Sequence, residues 1–411
     1  MKQHPGPKQL LYIYIAVIIF SGACFFISCS KTNTVSPYKY NTISGTGNTN
    51  GNPTGGIITN PDSTTTLNFS APDDVAVDAA GNLYVADYGN NLIRKISPTG
   101  AVSTLAGSGN IGAINGTGIA ASFNGPSGLA VDAAGNVYVA DAGNNLIRKI
   151  TPAGLVSTLA GTIATVDTSG TTLTEPVFSG PSGVAVDASG NVYVADAGNN
   201  QIRVVSPAGI ISTFAGTGGA GAADGAGISA TFNNPTGVAV DASGNVYVAD
   251  LLNNMIRKIT PAKIVSTLAG KDSIGSADGK GSSASFYFPN SLAVDASGNI
   301  YVTDDINNLI RKITPDGTVT KLAGSGIAGH ANGNGIAASF NDPAGIALDA
   351  SGNAFVADAN NNLIRKISPA GVVTTVAGMI PGIGVIRTGS YAHYHMGLRL
   401  SSKQARKIKV Q

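Results

Sequence analysis

The sequence predicts an all-β fold, a six-bladed β-propeller with four antiparallel strands per blade. Three observations carry that expectation. One unit recurs six times: Val75-Ala76-Val77-Asp78 returns as Leu129–Asp132, Val184–Asp187, Val238–Asp241, Leu292–Asp295 and Ile346–Asp349, with Asp-to-Asp spacings of 54, 55, 54, 54 and 54. A Phe stands nine residues before each of these aspartates, as Phe69, Phe123, Phe178, Phe232, Phe286 and Phe340. The composition is that of strands and tight turns: 54 Gly, abundant Val, Ile, Thr, Asn and Asp, and a single Glu, Glu175. That vocabulary excludes an all-helical protein.

The fullest copy runs from Gly128 to Gly161 and parses into its elements in order. Residues 128–132 form the first strand, closed by Ala133-Ala134-Gly135-Asn136, a turn whose Gly supplies a positive φ. Val137–Ala140 is the second strand, and Asp141–Asn145 the next turn, rich in Asp, Gly and Asn. The third strand, Leu146–Ile150, stops at Thr151-Pro152-Ala153-Gly154, where Pro cannot join a ladder. Leu155–Leu159 is the fourth. Four short antiparallel strands, repeated, describe propeller blades that bury both faces against their neighbours. Ala76, Ala130, Ala185, Ala239, Ala293 and Ala347 take the innermost mid-strand position, where converging strands leave no room for large side chains.

The segments VAVDxxGNVYVAD, NNxIRKI and VSTLAG resemble the NHL repeat family, over residues 69–378. The resemblance implies a six-bladed ring, with blades at about 69–107, 123–161, 178–216, 232–270, 286–324 and 340–378. All four strands of the last blade are present, so direct packing of blade six on blade one is expected to close the ring.

Residues 1–29 read as an export signal: Lys2 and Lys8, then an apolar run from Leu10 to Ile27, then small residues. Phe26-Ile27-Ser28-Cys29 resembles a bacterial lipobox, which makes Cys29 the expected lipidation site; Cys24, in Ser21-Gly22-Ala23-Cys24, is the second candidate. An uncleaved membrane anchor is the competing reading, since 18 apolar residues just reach spanning length. The expected location is exported and membrane-anchored, periplasmic or at the cell surface. Residues 30–68, rich in Thr, Asn, Ser and Gly, read as a flexible tether. The 379–411 tail carries Arg387, Arg399, Lys403, Arg406, Lys407 and Lys409 with no acid, suited to a membrane surface or to plain solvation.

Residues repeated in every blade are structural by default, because a ligand site is needed once. The pairs Asp87/Arg94, Asp141/Arg148, Asp196/Arg203, Asp250/Arg257, Asp304/Arg311 and Asp358/Arg365 therefore read as turn caps and buried ion pairs. Strand alternation puts the second turn of each blade and the 16–18-residue connections on one variable face, the expected interaction surface. Departures from the repeat there are the candidate partner-binding residues: Leu251 and Leu252, expected to expose two apolar side chains, with Asp305, Ile306, Tyr88, His330 and Asp342. Asp224-Gly225 and Asp278-Gly279 lack the dense carboxylates of a calcium loop and read as Gly-mediated turns.

Related propellers include lyases with a His-bound zinc and gluconolactonase-like enzymes with a Glu, Asn and Asp set around a divalent ion. The repeats hold one His, His330, and one Glu, Glu175, and both cysteines precede residue 30, so a His- or Cys-based zinc site cannot be assembled there. No cofactor is expected, and the one metal the Asp and Asn supply leaves open is a divalent cation such as calcium. Between Phe69 and Gly378, 15 Lys/Arg against 22 Asp/Glu give a net charge of −7, the wrong sign for phosphate recognition, so nucleic acid is not an expected partner. The resulting expectation is a non-catalytic binding or scaffold module of the bacterial cell envelope, monomeric, recognising a protein or glycan through its loop face. The absence of Trp weighs against glycan. The alternative is a metal-dependent hydrolase or lyase of the gluconolactonase-like propeller type.

Overall fold

A computed structural model describes residues 68–161 and 178–379. The lipidation candidates Cys29 and Cys24, the tether, Glu175 and the basic tail lie outside the described residues. The described chain forms six antiparallel sheets in a ring, each built from four consecutive strands. In blade two these are Pro126–Val131, Val137–Asp141, Leu146–Ile150 and Leu155–Ala160, within two residues of the bounds expected from sequence. The first turn places Gly135 at φ +79, and the second is a short 3-10 turn, Ala142–Asn144, that ends on Asn145 at φ +56. Asn recurs at that left-handed position in every blade, because its short side chain tolerates the conformation.

Among the described residues, four blades carry a fifth strand. The connection entering blade two adds Gly116–Thr117 to the outer edge, pairing with Leu155 and Val156. Gly225–Ala226, Gly279–Lys280 and Gly333–Asn334 do the same for blades four, five and six. The added pieces are two residues long, too short to show a strand period.

The core is divided among the seams between blades. One cluster joins Tyr84, Ala86 and Ile93 of blade one to Phe123, Leu129 and Val139 of blade two. The same arrangement joins Phe355, Ala357 and Ile364 of blade six to Phe69, Val75 and Leu83 of blade one, so the ring closes by direct packing. The Ala71 N–H also donates to Asn362 Oδ1 across this seam at 2.8 Å. Around the axis the inner strands approach so closely that a Cβ on Gly237 would sit 2.7 Å from the Asn290 carbonyl oxygen.

A buried clamp ties the turns of a blade to the connection that enters it. In blade two Asp141 Oδ1 accepts the Asn124 N–H at 2.8 Å, which ties the second turn to the entry of the inner strand. Its Oδ2 accepts from Asn144 at 2.8 Å and from Arg148 at 2.7 Å. Arg148 also donates to the Ser122 and Ile114 carbonyls and to Asn115 Oδ1, and its guanidinium lies 5.2 Å from the centroid of the Phe123 ring. Blade six repeats the arrangement. Arg365 lies 2.7 Å from Asp358, donates to the Ser339 and Ala331 carbonyls and to Asn332 Oδ1, and stands 5.2 Å from the Phe340 ring. The repeated Asp, Arg, Asn and Phe are thus one device.

The six pairs are buried, and they are not two-membered: Asp224 and Asp278, weighed above as turns, complete the clamp, each 2.7 Å from its arginine, Arg257 or Arg311. Asn115 and Asn332 fill the same place beside Arg148 and Arg365. Nor is every buried donor matched, since Nε of Arg148, Arg257, Arg311 and Arg365 is buried without a hydrogen-bond partner. The reason is geometric, because the acceptors of the clamp all lie at the two Nη groups.

Replacing Arg257 with Met should cost about 3–5 kcal/mol, the usual penalty for leaving one partner of a buried pair alone. The Asp196–Arg203 pair is longer, 3.7 Å against 2.7 Å, so Arg203→Met should cost measurably less in the same urea titration.

Candidate functional site

The loop face is assembled from the second turns and the connections. Asn144 Nδ2, in the second turn of blade two, donates to the Gly112 carbonyl of its connection at 2.8 Å, and Asn253, Asn307 and Asn361 repeat the bond. The opposite face is uniform. There each Asp closing the inner strand caps its turn: Asp132 Oδ1 accepts the Ala134 and Asn136 N–H groups, and Oδ2 accepts from Asn136 Nδ2 and Tyr138 OH. These bonds hold the Asp132 carboxyl below the usual carboxylate range, despite an opposing push from partial burial.

A channel of about 240 Å³ runs along the axis, lined by the inner strands, including the repeated alanines. Near their start, the position after the strand's Pro holds Asp73, Ser127, Ser182, Thr236, Asn290 and Ala344, all buried. Ser127 Oγ and Thr236 Oγ1 are occupied by backbone carbonyls of the next blade, Ser182 O at 3.1 Å and Asn290 O at 2.7 Å. Blade one departs most, with Asp73-Asp74 where blades two and three have Ser-Gly. Asp74 Oδ2 accepts the Leu129 N–H of blade two at 2.8 Å. Burial pushes the Asp74 carboxyl up to about 8, against the pull of that bond and of the Val75 N–H, so it is mostly protonated at neutral pH.

Two more departures fall in the same sector. Asp305 of blade five and Asp342 at the entry to blade six bring their side chains together. Burial, then Asp342, and then the charges of Asp73 and Asp304 push the Asp305 carboxyl well above its ordinary value. Its Oδ1 is buried without a hydrogen-bond partner. Residues from blades five, six and one, up to 269 positions apart in sequence, therefore form one electrostatic group at this end of the ring.

The sequence-derived candidates separate under this geometry. Leu251 and Leu252 do not expose two apolar side chains: Leu251 is 8% exposed and Leu252 is half-buried. The reason is positional, since Leu251 takes the first place of the second turn, where Ala197, Asp305 and Ala359 are also buried. Asp305 and Asp342 are likewise buried and act through the carboxyl pair, not through the surface. Tyr88 is half-buried, its ring set against Gly125 of blade two. His330 and Ile306 are exposed. The six repeated pairs, from Asp87/Arg94 to Asp358/Arg365, are buried in the seams and offer nothing to the loop face. The repeat comparison passed over Asp73 and Asp74, and also Tyr287 and Phe288, a half-buried edge-to-face pair 5.0 Å apart beside the second turn of blade four. Alignment of the residues flanking each inner-strand Pro would have singled out all four.

Among the described residues, no group of three or more His, Cys, Asp or Glu is placed to hold a metal ion. The raised Asp74 carboxyl gives a signed pH effect. A carboxyl with a raised folded-state value stabilises the fold fully below about pH 4 and loses that contribution as pH rises toward 8. Asp74→Asn should therefore gain in thermal midpoint over wild type as pH is raised from about 5 to 8, and a constant difference would refute the assignment.

Comparison with known proteins agrees with the repeat reading. The NHL repeat model matches residues 69–96, 123–150, 178–205, 232–256 and 340–367, five of the six blades. The protein SUPPRESSOR OF QUENCHING 1, chloroplastic, of Arabidopsis thaliana is 33% identical over 316 residues, which is 72% of this chain and 30% of that protein. NHL repeat-containing protein 2 of Bos taurus is 30% identical over 335 residues, 72% of this chain and 46% of its own length. The chain spans less than half of either relative. A structural genomics protein of unknown function from Bacteroides thetaiotaomicron shares the fold at TM-score 0.56 and 21% identity, over 73% of this chain and 69% of that one. An auxiliary nutrient binding protein from the same organism does so at TM-score 0.55 and 17% identity, over 75% and 70%. With its six sheets closed on the axis and the repeat matched in five of them, the chain belongs to the NHL repeat proteins.

Proposed function

We propose that the protein is a non-catalytic binding or scaffold module of the bacterial cell envelope, held by a lipid on Cys29, that recognises a partner protein through the loop face. The observation that carries this reading is apolar exposure on that face. Ile111, Ile274 and Ile327, in three connections, are 60–74% exposed, and Ile306, in the second turn of blade five, is 47% exposed. Exposed side chains of this kind, spread around a rim with polar neighbours, are suited to a protein partner. A rigid ring supports such a face because its loops can diversify without disturbing the seams. The similar fold described as an auxiliary nutrient binding protein is an example of such a ring in a binding role.

A glycan partner is less well supported, since stacking surfaces on this face, among the described residues, reduce to Tyr287, Phe288 and Tyr88, each half-buried. The alternative of a gluconolactonase-like hydrolase or lyase would need a divalent ion. A stoichiometric ion that survives dialysis of the purified protein would favour it over the binding reading.

The test is affinity capture from envelope extracts, with bound proteins identified by mass spectrometry. The double variant Ile274→Asp and Ile306→Asp should keep the wild-type thermal midpoint and lose the partner recovered by wild type. Equal recovery would move the interface off this face. Incorporation of labelled fatty acid should be abolished by Cys29→Ser; loss only in Cys24→Ser would transfer the anchor to Cys24.

A further inference from the structure

Among the described residues, the clamp is complete in blades two, four, five and six and incomplete in blades one and three; blade one alone leaves a buried Nη2 without a partner. In blades two, four, five and six the arginine's Nη2 is held by a carbonyl and by the Asn or Asp of an Asn/Asp-Gly-x-Gly segment in the connection. That segment also pairs with the outer strand as its fifth neighbour. In blade four Asp224 accepts from the Thr267 N–H and Oγ1, both at 3.1 Å, as well as from Arg257.

Blade one keeps the receiving half of this device, with Arg94 and, in the register of Thr267, Thr104. Its outer strand, Val102–Ala106, is the sheet edge among the described residues. Arg94 has lost the tight geometry: its bond to Asp87 is 3.4 Å, its Nε turns to the Ser103 carbonyl at 3.4 Å, and its guanidinium stands 5.9 Å from the Phe69 ring. Arg94 is 3% exposed, and its Nη2 has no hydrogen-bond partner. A buried guanidinium N–H without an acceptor is costly, and a carboxylate is the acceptor that relieves it best.

We propose that the outer edge of blade one is a strand-acceptor site for a partner protein, and that it takes an extended Asp-Gly-x-Gly segment. The segment would pair with the edge near Val102 while its carboxylate engages Arg94 Nη2 and Thr104. The chemistry of the occupant follows from the four copies of the same contact inside this ring. The chain's own flanks lack the motif in that register: Pro61-Asp62-Ser63-Thr64 precedes Phe69, and Ile386 stands eight residues past Gly378, where Asn115 follows Gly107. Strand addition of this kind draws affinity from main-chain bonds and specificity from the anchored side chain.

The probe is a synthetic peptide of residues 222–231, AADGAGISAT, added to the full-length protein. Binding should slow hydrogen exchange at Val102 and Thr104, and the same peptide with Asp224→Ala should bind about ten-fold more weakly. Arg94→Gln should remove that discrimination. If the two peptides bind equally, or neither binds, the proposal fails, with the folded wild-type protein as its own control. It fails equally if Thr104 in the free protein is already as protected as Thr267, because the edge is then occupied from within the chain.

Discussion

The buried Asp–Arg clamp is the contact on which the other contacts of the ring depend. A propeller blade is a small twisted sheet with no independent core, and it is stable only while both faces are covered. The clamp ties each blade's second turn and inner-strand entry to the arginine of the same blade and, in blades two, four, five and six, to the incoming connection. One carboxylate reaches the entry of its own inner strand, the second turn and the arginine, and the arginine reaches on to the connection. Burying this much charge is costly, and a buried ion pair adds little net stability over an apolar replacement. Its value here is geometric. Burial raises the Asp250 carboxyl only to about 6, since the Asn233 N–H, Asn253 and Arg257 pull against it, so it is largely ionised at neutral pH.

The clamp also explains which parts of the sequence are free to vary. On the far face the capped turns repeat closely, because Asp, Gly, Asn and Tyr each fill a required place there. On the loop face the clamp uses only the Asp, the Asn and the backbone, so the residues between them can change. Leu251, Asp305 and Tyr88 occupy one such place, equivalent to Ala142 in blade two, and differ in size and charge without disturbing the strand registers.

Variation is concentrated in one sector. Blades five, six and one together bring Asp305, Asp342 and Asp73 into electrostatic contact, and blade one adds Asp74 with a carboxyl that is protonated at neutral pH. The ring is therefore not six-fold in its chemistry, although it is close to six-fold in its backbone. Blade one is acidic toward the axis and, like blade three, loosely clamped toward the rim.

Much of the fold was legible in the sequence, because a period of 54 residues with fixed Phe, Asp, Gly and Arg positions permits only one kind of repeated unit. The strands of blade two, the positive-φ turns and the closure of blade six on blade one follow from local alternation and turn chemistry. What the sequence could not supply is where a variable residue points. Leu251 looked like an exposed apolar residue and is buried, because the first position of its 3-10 turn is turned away from solvent. Asp224 and Asp278 looked like parts of glycine turns and are second carboxylates for buried arginines 33 residues away. Asn332 serves Arg365 in the same way, across an equal separation. The carboxyl pair of Asp305 and Asp342 joins two blades, and Asp73 arrives from a third. Composition and period are local properties that a single chain states openly. Which exceptions meet is settled only when the ring closes, since closure makes neighbours of the first blade and the last.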